Sequence, residues 1–75
     1  MINKTEEIAK QVIEHAENAT EIFKTADELH KAEIEGLIDK ESATNAISEL
    51  KDEGLAEAEK VIELQKDFFA EKGRE

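Results

Sequence analysis

Midway along the chain, the stretch EGLIDKES from Glu35 to Ser42 interrupts a sequence that otherwise reads as helix from end to end. Gly36 can take the left-handed backbone conformation that closes a helix, which places Leu37 where it can contact Ala32 one turn back. Asp39 is a good N-cap, because its carboxylate can accept the free backbone N–H groups of the turn that follows. Ile38 and Ala43 fall at the staple positions on either side of the cap, alanine being the weak member of such a pair. One helix therefore ends and another begins within about three residues, and so short a connection makes the two antiparallel neighbours.

The flanking segments carry the periodicity this requires. In the first half Ile8, Val12, His15, Ala19, Ile22, Ala26 and Leu29 recur at spacings of four and three, with Ala9, Ile13, Ala16 and Phe23 widening the stripe. In the second half Ile47, Leu50, Gly54, Ala58, Val61, Leu64 and Phe68 do the same, flanked by Ala43, Leu55, Ile62 and Phe69. This is the 3.6-residue period of amphipathic helices, and the two-residue alternation of strands is absent. Asn3 with Glu6 resembles a capping box for the first helix. Lys72 and Arg74, with Gly73 between them, complement the dipole at the end of the second. The expectation is an all-α, antiparallel two-helix hairpin with helices at about 4–35 and 40–72, each about 48 Å long. The whole chain, residues 1–75, then forms a single domain.

Gly54 is a rival break, since glycine inside a helix costs about 1 kcal/mol relative to alanine. A helix ending there would turn the hairpin into a three-helix bundle. Two features favour one continuous helix. No Ser, Thr, Asp or Asn follows the glycine to cap a new helix, and the apolar phase passes through Leu50, Gly54 and Ala58 without a shift. In a hairpin folded at residues 36–38, Gly54 lies opposite Ile22 and Phe23 and can make room for them.

Faces this wide are more than two helices side by side can bury. The expected remedy is a homodimer, with two hairpins pairing into a four-helix bundle.

Composition narrows the function. With 20 acidic against 10 basic residues the formal net charge is −10. Direct binding of nucleic acid needs Lys/Arg clusters, so none is expected, and an anionic membrane surface repels such a chain. The absence of cysteine removes disulfide frameworks and thiolate metal sites and suits a reducing compartment. The charged N-terminal MINKTEEIAK does not resemble a signal peptide. No apolar run approaches the ~20 residues needed to span a bilayer. A soluble, cytoplasmic protein is the expectation. An acidic, aromatic-poor chain could instead be disordered, but disorder gives no reason to keep the apolar period.

The charge is concentrated. At 100° per residue, Glu41, Glu49, Asp52, Glu53, Glu59, Glu63, Asp67 and Glu71 fall in one sector of the second helix, opposite its apolar stripe. The i,i+4 ladders Glu49–Glu53–Glu57 and Glu59–Glu63–Asp67–Glu71 disfavour the helix by roughly 0.2–0.5 kcal/mol per adjacent pair. One reading is a solvated face that keeps the protein soluble. The other is a docking surface for a basic protein partner, with Glu49, Asp52, Glu53, Glu59, Glu63 and Asp67 as the contact residues. Carboxylates about 6 Å apart along a rod also imitate a phosphate backbone, so an inhibitor that mimics nucleic acid is the alternative within this class.

His15 and His30 lie about four turns apart on one helix, roughly 22 Å, too far to share a metal within it. Asp27-x-x-His30 has the carboxylate-x-x-His spacing of di-iron bundles, but those need Glu-x-x-His on two helices and further inward carboxylates. Boundary or interface histidines are the leading reading, ahead of a pH-sensitive seam, and a metal-binding bundle stands last. No nucleophile motif, phosphate loop or catalytic carboxylate pair is visible. The chain is therefore expected to be non-enzymatic, without cofactor, metal or catalytic residues, and to act by protein–protein contact as a small regulatory or interaction module.

Overall fold

A computed structural model describes residues 3–74 as two α-helices, α1 (Lys4–Ile34) and α2 (Lys40–Lys72), folded back on each other. The hairpin is a rod of 55 × 17 × 14 Å. The turn is built as its residues demand. Gly36 has φ +78°, and it alone of the described residues has positive φ. The Leu37 N–H donates to the Ala32 carbonyl at 2.9 Å and the Gly36 N–H to that of Glu33 at 3.0 Å. These are the two bonds of a Schellman ending. α1 ends at Ile34, one residue before the expected end, with Glu35 as its C-cap.

Asp39 then opens α2. Its backbone is extended, and its carboxylate accepts from the Ser42 N–H at 2.7 Å. Hydrogen bonding from the side chain and backbone of Ser42 holds the Asp39 carboxyl below its ordinary pKa. Ala43 at the staple position is completely buried and Ile38 half-buried. A Cβ on Gly36 would meet nothing within 4 Å. Gly36→Ala should therefore cost about 1 kcal/mol through backbone conformation alone, readable as a lower urea midpoint with an unchanged slope.

Of the outer ends, the first differs in detail from the sequence expectation. Asn3 caps α1 by accepting from the Thr5 N–H at 2.7 Å, one residue earlier than the third-position bond of a capping box. At the other end α2 stops at Lys72 with Gly73 as its C-cap (φ −67°, ψ −16°), whose N–H donates to the Phe69 carbonyl.

α2 runs unbroken through Gly54, so the three-helix alternative is not realised. The glycine serves the packing of the two helices. A Cβ at Gly54 would lie 2.6 Å from Cζ and 2.9 Å from both Cε atoms of Phe23. The missing side chain lets the tip of the Phe23 ring rest on the backbone of α2. This close approach puts Phe23 and Gly54 at the same height along the rod.

The buried interior is thin. Ile8, Ala26, Ala43 and Leu64 form it, together with Thr5 and Gly54. Among the described residues no large side chain is fully buried. No helix among them is long and apolar enough to cross a membrane.

Candidate interaction surfaces

Two surfaces of the rod stand out, one apolar and one acidic. The apolar one arises because each helix carries a stripe wider than the strip its neighbour covers. Ile13 is 58%, Leu55 57%, Ile62 54%, Phe69 69% and Phe23 40% exposed. These flanking residues share one face. Ala9, Val12 and Ile13 from α1 line a single groove with Gln65, Phe68 and Phe69 from α2. Further along, Phe23, Ala26, Asp27 and His30 line another with Ile47 and Lys51. Ile34 and Leu37 add exposed apolar surface near the turn. Sequence periodicity places these side chains on the apolar side of their helices. Which of them the opposite helix leaves uncovered depends on the packing.

The acidic surface lies on the outer side of α2. Glu49, Asp52, Glu53, Glu59, Glu63 and Asp67 are all exposed. None has an ion pair or hydrogen-bonded side-chain partner among the described residues. From Glu49 to Asp67 the stripe runs roughly 27 Å along the helix. Spacing of three, four and seven on an unbroken helix brings all six to one side, as expected from the sequence.

Two members of the acidic ladders turn away from it. The Glu57 carboxylate meets the His15 imidazole across the hairpin, both side chains half-buried. Glu71 is half-buried too, 3.7 Å from Lys4 Nζ and accepting from Arg74 Nη1 at 2.9 Å. Its place in the outward sector is corrected by this geometry. A residue on the edge of a helical sector is claimed by whatever cation the neighbouring helix brings to it. The signal for Glu57 was available only once the register was known, since His15 and Glu57 are 42 residues apart.

His30 is exposed and lies 3.5 Å from Glu33 on its own helix. Asp27 pairs with Lys31 at 3.4 Å, not with His30. Among the described residues, no group of three or more His, Cys, Asp or Glu side chains could hold a metal ion.

No protein-family model matches this chain, and neither does any curated protein or solved structure.

Proposed function

We propose that this protein is a non-enzymatic interaction module that works as a self-associated helical hairpin and presents its acidic face to a basic protein partner. The observation that carries this reading is the row of large apolar side chains left open by the hairpin. Five large side chains, each at least 40% exposed, lie along one side of a rod whose own interior is thin. Large apolar side chains left exposed together mark association surfaces. The grooves on that face are open; the one beside Phe68 and Phe69 is lined mainly by aliphatic and aromatic groups, and the one beside Phe23 mixes them with Asp27, His30 and Lys51. Sedimentation equilibrium tests the association. A dimer or higher oligomer is expected at micromolar concentration, with thermal stability that rises with protein concentration. A stable monomer at every concentration overturns the reading.

The acidic face supports the second half of the proposal. Six carboxylates without an intramolecular cation strain the helix by mutual repulsion and offer a long negative stripe to a partner. Replacing Glu53, Glu59 and Glu63 with glutamine should slow association with a basic partner recovered from the host more than it speeds dissociation. Binding by the parent should weaken steeply with salt, since exposed charges are screened over about 10 Å at 0.1 M. The same triple variant should be slightly more stable than the parent. Stability gained while binding is lost marks charges kept for a partner; unchanged binding marks a solvated surface. The stripe also supports a second reading, mimicry of a nucleic-acid backbone. Competition by duplex DNA or RNA for the same partner separates mimicry from other basic-partner contacts.

A further inference from the structure

We propose that the open apolar face is covered by a second copy of this chain about a two-fold axis parallel to the rod, so that both turns lie at the same end of a four-helix bundle. This rests on the self-association reading above and adds the arrangement. The rod presents a face of 55 by 17 Å, a footprint of roughly 900 Å² against the ~800 Å² per partner of a standard interface.

The register of the hairpin supplies the argument. Phe23 lies against Gly54, Asp27 and Lys51 line one groove, and Ala9 and Ile13 line another with Gln65 and Phe69. Residues at one height on α1 and α2 are thereby known along the rod. A two-fold axis parallel to the rod preserves height and sets α1 of each copy across from α2 of the other, antiparallel. No sliding is allowed, because a translation along that axis would break the closed symmetry. At matching heights Phe23 then meets the partner's Leu55 and Ala9 the partner's Phe69, while Ile13 and the partner's Ile62 lie within about one helical turn of each other. Asp27 comes level with the partner's Lys51, a cation without an ion pair inside the hairpin among the described residues. The exposed apolar side chains of one helix find those of the other, twice over.

The competing face-to-face arrangement has its axis across the rod and the turns at opposite ends. It sets α2 against the partner's α2, running the other way. With the middle of α2 near residue 56, Ile62 then comes level with the partner's Leu50 and Phe69 with the partner's Ala43, which are half-buried and buried within their own hairpin. Only a shift along the rod, which this axis permits, brings its exposed apolar side chains together, whereas the parallel arrangement needs no shift.

The chain has no cysteine, so Glu35→Cys and Lys72→Cys variants each carry one spin label per copy, at the turn end and the open end. Both residues are exposed. Pulsed dipolar spectroscopy on the assembled full-length protein, with the oligomer confirmed by sedimentation, reads the separation. The proposal expects short distances for both labels, within about 25 Å, the width of two packed helix layers with their labels. A dimer with distances near the 55 Å rod length overturns the arrangement and leaves self-association standing. A monomer overturns both.

Discussion

Ile62→Glu should dissociate the assembled protein, weakening self-association by roughly a thousandfold or more. Ile62 is 54% exposed in the single hairpin, so a glutamate there is tolerated by the monomer. In an assembly covering the apolar face, each copy would bury one carboxylate without a cation beside it. That costs about 2 kcal/mol or more per charge, and a symmetric pair incurs it twice. Sedimentation equilibrium reads the dissociation constant, and circular dichroism reports the helix content of the separated chains. Glu63→Gln, one residue further along and on the acidic side, is the control and should leave assembly unchanged. Equal association by Ile62→Glu and the parent would show that the apolar face is not the contact surface.

Gly54→Leu should lower stability by about 1–3 kcal/mol, because the added side chain must occupy the space of the Phe23 ring tip. Even one Cβ comes within 2.6 Å of that ring. At fixed protein concentration the melting temperature should fall by about 4–8 °C per kcal/mol for a domain of this size. The smaller change Gly54→Ala sets two effects against each other. Alanine gains about 1 kcal/mol in helix propensity, but the Phe23 ring has to swing outward. In a Phe23→Ala background the ring is gone and the gain should appear in full. A double-mutant cycle across these two positions should thus show coupling well above the ~0.3–0.5 kcal/mol scatter of independent sites. Zero coupling would mean that the ring and the glycine do not pack against each other.

Much of this protein was legible because its signals are local. Gly36, Asp39 and the spacing between them specify a left-handed stop and a cap within one turn of chain, and both appear with the expected hydrogen bonds. Helix continuity across Gly54 was readable from the unbroken apolar phase. The six outward carboxylates were readable too, since residues on one helix share a side by spacing alone. His15 with Glu57 was not legible, and neither was the withdrawal of Glu71 from the acidic sector. Those depend on which residues of the other helix stand at the same height.

The sequence by itself determined two amphipathic helices, the hairpin between them and the sector in which the acidic charge lies, all from interactions within a few residues along the chain. Only the tertiary structure decided the register, which puts the Phe23 ring against the Gly54 backbone. It also decided which half of each wide apolar stripe is used inside the hairpin. Ile8, Ala26, Ala43 and Leu64 are buried there, while Ile13, Leu55, Ile62 and Phe69 stay open. One helix can cover only the strip of its neighbour that faces it. The rest of each stripe is left on the surface, and its side chains become a shared face only when packing brings them to the same side.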